Sequence, residues 1–283
     1  MKAKVSVVVC AQNEERRLAQ ALEGIKLNDP DEIIVVDDDS TDATVEIARR
    51  YTKNVILSKS GSLSTNRQIG IDQARNELVA MIDADHILTV GDIDRLVNDL
   101  HAYNFDMVQG QLVSYANMSI WNYAEEDSWD LTHNIPGPKI NVGSAPAIYK
   151  KAIFSKVRFD EHITRNSDDT DFVYRLSQHK EFTFGVGDTQ IRQLHFPELR
   201  MYLRKFMWYG LCDGEFVHKY PQRTYPVLFH LLVRYPFVYS GRALRRGKLR
   251  AIPFFVLQGA VRFVGLVSYF AESVLFARVR GIS

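Results

Sequence analysis

Residues 78–85 have the sequence LVAMIDAD, in which five apolar residues are followed at once by Asp83 and Asp85. A short apolar run that ends in a polar turn is typical of a strand buried on both faces, as in a parallel sheet. The two carboxylates then lie beyond the carboxyl end of that strand. Because ligands of open α/β sheets bind at this edge, the turn is a candidate functional site.

Three earlier segments repeat this arrangement. Apolar and β-branched residues predict strands at Val5–Val9, Glu32–Val36 and Asn54–Leu57. Helical spacing follows them at residues 13–24, 43–51 and 67–75. Strand and helix therefore alternate, which predicts an α/β fold with a mostly parallel sheet flanked by helices.

The chain has 283 residues, of which 46% are hydrophobic and 24% charged, and this composition predicts a folded globular protein. Its two cysteines, Cys10 and Cys212, leave no room for a disulfide framework and lack zinc-ligand spacing. A reducing compartment is predicted on that basis. Glu14 and Glu15 closely follow the short apolar N-terminal run, so no signal peptide is expected and a cytoplasmic location is predicted.

Charge divides the chain into two parts. Residues 196–283 hold 14 lysines and arginines and four aspartates and glutamates, a net charge of +10. The whole chain carries +1, so residues 1–195 carry −9. We therefore predict an α/β domain over residues 1–200 and a basic, aromatic, helical extension over residues 201–283. An acidic part suits bound cations, whereas a basic part suits an anionic partner.

The basic extension alternates aromatic and basic segments. Residues 225–239 are rich in aromatics, 242–250 in basic residues, and 252–277 contain only Arg262 and Glu272 as charges. These charges interrupt the roughly 20 apolar residues that a bilayer span requires. We predict amphipathic helices in peripheral contact with the inner face of the cell membrane, and a true span is left open. The apolar runs argue against nucleic acid as a partner; a buried helical subdomain or a dimer interface is the alternative.

The turn Asp83-Ala84-Asp85 suits a divalent cation. Two carboxylates on one side of a turn repel each other, and a cation between them removes that repulsion. Mg²⁺ and Mn²⁺ are commonly held in nucleotide sites by one or two carboxylates together with substrate phosphates. A solvated turn is the alternative, since paired aspartates arise often in a chain with 34 acidic residues.

A second acidic turn, Asp37–Asp42, follows the second predicted strand. Its serine, threonine and last aspartate suit the N-terminus of the next helix. Asp38 is not needed there, and its carboxylate can accept the imide N–H of a uracil ring. Asn13 and Glu14 follow the first strand, so they are expected at the same edge of the sheet.

Five motifs occur in order between residues 4 and 195. They are VSVVVCAQNEE (5–15), IIVVDDDSTDAT (33–44), RQIG (67–70), MIDADH (81–86) and DDTDFVYRL (168–176). Together they resemble the inverting GT-A glycosyltransferases of family two. The resemblance implies a Rossmann-like GT-A catalytic domain over residues 1–200 that binds a nucleotide-diphosphate sugar, with UDP favoured over GDP.

The resemblance also implies roles for individual residues. The residues that correspond to the family's nucleotide-binding positions are Cys10, Asn13, Glu14, Asp38, Arg67 and Asp83. Asp83 and Asp85 correspond to the Asp-x-Asp motif that holds Mn²⁺ or Mg²⁺, and His195 resembles a late histidine that completes the metal shell. Asp169 corresponds to the catalytic base, and Asp168 stands where the family usually has glutamate.

These roles imply a reaction. A metal bridging both phosphates offsets the negative charge that develops on the departing diphosphate. Asp169 takes the proton from an acceptor hydroxyl as this oxygen attacks the anomeric carbon from the opposite face, which inverts the configuration. The acceptor is expected to be a glycan or a lipid-linked molecule captured at the membrane.

Two other functions fit parts of the sequence. Asp83-x-Asp85 followed by Thr89 has some likeness to the nucleophile motif of haloacid-dehalogenase phosphohydrolases, although that motif normally follows a first strand. The other alternative is a non-catalytic protein of the membrane surface whose acidic turns only cap helices.

Overall fold

The computed structural model describes residues 3–115, 118–140, 142–163, 167–194 and 198–279, with side chains described up to residue 272. Contacts divide the chain into an N-terminal unit of residues 1–115 and 133–194, and a C-terminal unit of residues 116–132 and 195–283.

The N-terminal unit alternates strands and helices through most of its length. Its elements are β1 (Val5–Ala11), α1 (Leu18–Lys26), β2 (Glu32–Asp38), α2 (Thr44–Tyr51), β3 (Asn54–Ser58), α3 (Leu63–Gln73), β4 (Leu78–Met81), β5 (His86–Ile87), α4 (Asp92–Ala102), β6 (Met107–Tyr115), β7 (Gly137–Pro138), β8 (Ala147–Lys150), a 3₁₀ turn (Lys151–Ser155), α6 (Asp168–Leu176) and β9 (Phe184–Leu194). The C-terminal unit contains α5 (Ile120–Thr132), α7 (Leu199–Lys219), a 3₁₀ turn (Pro221–Arg223), α8 (Thr224–Phe229), a π-helical segment (His230–Tyr239), α9 (Ser240–Arg245) and α10 (Ala251–Val279).

One sheet organises the N-terminal unit, with the strand order β3-β2-β1-β4-β8-β6-β9-β5 and β7 paired to β9. The first four strands are mutually parallel, and β6 is parallel to β9. β8 is antiparallel to both of its neighbours, β4 and β6. The sheet is therefore mostly parallel, as the sequence predicts, and the carboxyl ends of β1, β2 and β4 meet at one edge.

The apolar run of β1 is buried on both faces of the sheet. Val7 lies in one hydrophobic cluster with Leu22 of α1, and Val8 lies in a second with Phe172 of α6. Successive side chains of a strand point to opposite faces. A run without polar alternation therefore requires helices on both faces, which is the arrangement observed.

Helix α3 lies very close to β1 because Gly70 has no side chain. A Cβ atom at Gly70 would approach Cγ1 of Val8 to 2.3 Å. Arg67 precedes Gly70 by three residues, so both lie on the same face of α3. The glycine contact thus holds Arg67 against the sheet.

Helix α5 groups with the C-terminal unit, whereas the sequence-based boundary at residue 200 assigns it to the N-terminal domain. This helix buries apolar side chains in the hydrophobic clusters of the C-terminal unit, and polar pairs between distant residues accompany them. Tyr202 donates to Oε2 of Glu125 at 2.8 Å, and Nζ of Lys248 lies 3.1 Å from Oδ1 of Asp127. These partners compensate the cost of burying the carboxylates of α5. Composition along the chain does not reveal such pairs.

Candidate active site

Arg67 joins three of the predicted site carboxylates. Its guanidinium is buried, with 4% of the side chain exposed. Nη1 donates to Asp168 and, at 2.5 Å, to Oδ1 of Asp169, while Nη2 lies 3.2 Å from Oδ1 of Asp83. The structure therefore brings together residues from α3, from the turn after β4 and from the start of α6.

This cluster carries more negative than positive charge. One guanidinium faces three carboxylates, so the net charge is −2 if all of them are ionised. Burial raises the pKa of Asp168 to about 7. The positive charge of Arg67 lowers this pKa, whereas the negative charges of Asp169 and Asp83 raise it further. Burial tends to lower the pKa of Arg67, but the carboxylates outweigh it and hold that pKa well above its usual range.

The raised pKa of Asp168 predicts an unusual effect of pH on stability. An unfolded aspartate ionises near pH 4, so between about pH 4 and pH 7 the folded state binds more protons than the unfolded state. The contribution of Asp168 to the free energy of unfolding is therefore present at low pH and declines as pH rises. In Asp168→Asn, which does not titrate at this position, stability relative to wild type should rise with pH across this window, by roughly 1 kcal/mol per pH unit in its middle and less near pH 7.

Urea unfolding of both proteins at pH 5, 6 and 7, without divalent cations, measures this difference. Asp94→Asn on the exposed surface of α4 is the matched control and should follow the wild-type curve. Parallel curves for wild type and Asp168→Asn would contradict the assignment of the titration to Asp168.

Asp169 is accessible, unlike Asp168. Its side chain is 44% exposed, whereas that of Asp168 is 2% exposed. The hydroxyl of Ser144 donates to Oδ1 of Asp169, and Tyr149 donates to the carbonyl oxygen of Ser144 at 2.6 Å. Sequence reasoning missed Ser144, although its position in the segment Gly143–Pro146 just before β8 marks a turn at the sheet edge. Its contact orients the carboxylate that is open to solvent.

The Asp-x-Asp turn is fixed by contacts to β9. The N–H of Leu194 donates to the carbonyl oxygen of Asp85 at 2.9 Å, and Gln193 donates to Oδ2 of Asp85 at 3.0 Å. Asp83, Asp85 and His86 each offer one potential ligand atom, and these atoms lie within 4.8 Å of one another. Carboxylate oxygens are the ligands that suit Mg²⁺ and Mn²⁺, so the two aspartates fit the predicted ion.

His86 is buried and received no role from the sequence, although it directly follows the Asp-x-Asp motif. Its Nδ1 accepts the backbone N–H of Asp83 at 3.0 Å. The lone pair of Nδ1 is thus engaged, and in the neutral ring the proton resides on Nε2. His86 is therefore placed to orient the turn. His195, the predicted third ligand, lies outside the described residues.

The predicted base-reading residue Asp38 is buried at the end of β2. Its Oδ1 accepts the backbone N–H of Gly61 at 3.1 Å, and its carbonyl oxygen accepts a hydrogen bond from Gln12 at 3.0 Å. Asn13 links β1 to the neighbouring turn, because its Oδ1 accepts the N–H of Thr41 at 3.0 Å. These bonds hold the ends of β1 and β2 together.

Two other predicted nucleotide residues have distinct surroundings. Glu14 is ion-paired to Arg17, with Nη2 of the arginine 2.6 Å from Oε1. Burial raises the pKa of the Cys10 thiol to about 12. The negative charges of the nearby Asp83 and Asp168 raise it further. Cys10 is therefore a neutral thiol at physiological pH.

An α/β sheet with an Asp-x-Asp turn beyond its carboxyl edge is the arrangement expected of a GT-A glycosyltransferase. The chain belongs to Glycosyl transferase family 2, which matches residues 6–159. The resemblance drawn from the five motifs is thereby confirmed, and so is the enzyme class at the level of the family. The haloacid-dehalogenase alternative is not favoured.

Curated relatives match parts of the chain. The dodecaprenyl-phosphate galacturonate synthase of Rhizobium johnstonii is 28% identical over 179 residues, which are 55% of this chain and 50% of that protein. The cholesterol galactosyltransferase of Borreliella burgdorferi is 32% identical over 121 residues, 40% of this chain and 34% of that protein. The chain thus matches half or less of the length of these relatives.

Solved structures share the fold. S. aureus TarS 1–349 in complex with UDP-GlcNAc has a TM-score of 0.55 at 15% identity, over 98% of this chain and 92% of that one. GalNAc-T7 with UDP, GalNAc and Mn²⁺ has a TM-score of 0.53 at 15% identity, over 75% of this chain and 51% of that one. At these identities the likeness shows the fold, and the predicted GT-A fold is confirmed.

Proposed function

We propose that this protein transfers a sugar from a nucleotide-diphosphate donor to an acceptor hydroxyl with inversion, and that transfer depends on Mn²⁺ or Mg²⁺. The observation that carries the proposal is the cluster in which Arg67 joins Asp83, Asp168 and Asp169. The predicted metal turn and the predicted base thus share one edge of the sheet. A divalent cation would compensate the negative charge of this edge.

A UDP-sugar is the favoured donor. Asp38 lies beside the end of β1, where its carboxylate suits the imide N–H of uracil. The TarS and GalNAc-T7 structures contain UDP-GlcNAc and UDP, respectively, which supports the same choice. A GDP-sugar is the alternative donor.

The acceptor is proposed to be a glycan or a lipid-linked molecule, reached from the cytoplasmic side of the membrane. The names of the Rhizobium and Borreliella relatives refer to dodecaprenyl phosphate and cholesterol, which are lipids. The C-terminal unit, with its basic and apolar composition, is the proposed membrane contact.

Different residues of the chain have different roles in the proposed reaction. A divalent cation held by Asp83 and Asp85 would supply charge compensation for the departing diphosphate. Asp169, oriented by Ser144, accepts the proton of the acceptor hydroxyl. Arg67 donates to Asp169 and holds it in place, while buried Asp168 fixes the guanidinium.

Calorimetry and a donor screen test this function. Purified protein should bind UDP with Mn²⁺ present and bind it much more weakly after chelation. Nucleotide release measured across a panel of UDP- and GDP-sugars then identifies the donor. If neither UDP nor GDP binds in the presence of Mn²⁺, the proposal fails.

A further inference from the structure

Exposed apolar side chains are concentrated in the C-terminal unit. Among the described residues, 20 large apolar side chains are well exposed, and 15 of them belong to this smaller unit. Monomeric soluble proteins rarely expose large continuous apolar surfaces, so such a concentration indicates an interaction surface. The arrangement of these residues along the helices indicates what the surface contacts.

Helix α10 carries an apolar outer face, which we define as Val256, Ala260, Val264, Val267 and Phe270. These residues recur every three or four positions and are exposed along about 21 Å of helix. The stretch Ala251–Glu272 is also long and apolar enough to cross a membrane by length and composition. A helix on the surface of a water-soluble protein instead places charged and polar residues outward.

The central charge of α10 points inward. Arg262 pairs with Asp213 of α7 through two hydrogen bonds of 2.9 and 2.7 Å, and it donates to the hydroxyl of Tyr235 at 3.0 Å. The side chains of Arg262 and Asp213 are 18% and 12% exposed. Charged groups paired in the interior beneath an apolar exterior are typical of helices surrounded by lipid.

The helices also approach each other through small residues. A Cβ atom at Gly210 of α7 would lie 2.2 Å from the carbonyl oxygen of Arg262, and one at Gly265 would lie 2.4 Å from that of Met207. Contacts of this kind between backbones are frequent in bilayers, where close packing replaces the hydrophobic effect between helices.

The helical segment 224–245, formed by α8, the π-helical segment and α9, repeats the pattern. Leu231 and Tyr235 are buried, whereas Tyr225, Phe229 and Phe237 are exposed. At its C-terminal end, Arg245 and Arg246 are exposed just before α10 begins. With a net charge of +10 on residues 196–283, this end complements an anionic lipid surface.

We propose that the C-terminal unit is embedded in an anionic bilayer, with the outer face of α10 in contact with the acyl chains and with Arg245 and Arg246 at the headgroups. This placement rests on the proposed function in that a lipid-linked acceptor would be met at the same membrane. The occupant of the apolar surface is thus lipid rather than a second copy of the chain.

Vesicle flotation with the full chain tests the placement. Wild type should float with phosphatidylcholine vesicles that contain 30% phosphatidylglycerol. Val264→Glu/Val267→Glu should partition at least about tenfold less, because a carboxylate among acyl chains is costly. Val90→Glu, at an even more exposed valine of the N-terminal unit, is the control and should float like wild type. The partitioning of Arg245→Gln/Arg246→Gln into anionic vesicles should be weaker than that of wild type by roughly thirtyfold.

Other outcomes are decisive as well. Circular dichroism and UDP calorimetry on each variant show whether both units remain folded. Wild type that stays at the bottom of the gradient overturns the placement, whatever its affinity for UDP. A dimer without vesicle binding, dissociated by Val264→Glu/Val267→Glu, would assign the surface to a second copy and also overturn it. Flotation without any nucleotide binding would leave the placement standing and contradict the proposed function alone.

Discussion

Asp169→Asn is expected to lower the turnover number of sugar transfer about 10²- to 10⁴-fold, the usual contribution of a general base. The amide has the shape of the carboxylate and can still accept the hydroxyl of Ser144, but it cannot take a proton from an acceptor. Donor binding should remain within a few-fold of wild type, because the affected step is proton transfer. Steady-state rates with the donor found in the screen, together with UDP calorimetry, measure both quantities.

The exposed Asp94 on α4 provides the control, and Asp94→Asn should be as active as wild type. A second comparison is Ser144→Ala, which removes the hydroxyl that orients the base but leaves the base itself. We expect it to be less impaired than Asp169→Asn. Turnover of Asp169→Asn within threefold of wild type would assign the base to another residue.

Asp85→Ala is expected to abolish the dependence of UDP binding on Mn²⁺ and to reduce transfer by about 10³-fold or more, since a bound metal contributes several kcal/mol of charge stabilisation. Asp85 already has its backbone and one oxygen held by the end of β9. The turn is therefore ordered before an ion binds. Titration of Mn²⁺ into wild type and variant, with and without UDP, measures the effect.

Asp94→Ala serves as control for the loss of one carboxylate and should retain the wild-type response to Mn²⁺. His86→Asn tests the turn itself, because its amide can still accept the N–H of Asp83. It should bind Mn²⁺ better than His86→Leu, which cannot. Unchanged Mn²⁺ dependence in Asp85→Ala would mean that the ion, if required, binds elsewhere.

Local patterns predicted much of the N-terminal fold. Strands β1, β2 and β4 are each an apolar run with a polar end. Such a pattern involves only residues that are close in sequence, so the alternation of strands and helices was visible in the chain. The two-residue strands β5 and β7 have no periodic pattern, because they are too short to show one. Likewise, no local signal indicated that antiparallel β8 lies between β4 and β6.

The residue types at the site were evident in the chain: an Asp-x-Asp turn, an acidic helix start and an arginine that precedes both. Tertiary structure decided which of them meet. Arg67 is 16 residues from Asp83 and 101 from Asp168, and it contacts both only because α3 packs on β1 through Gly70. Ser144 gained its contact with Asp169 in the same way, across 25 residues, whereas His86 contacts a residue only three positions away. The sequence by itself specifies the chemical groups and the local periodicity. Groups that are far apart in the chain come into contact only when the chain folds, and burial of the apolar faces drives that folding.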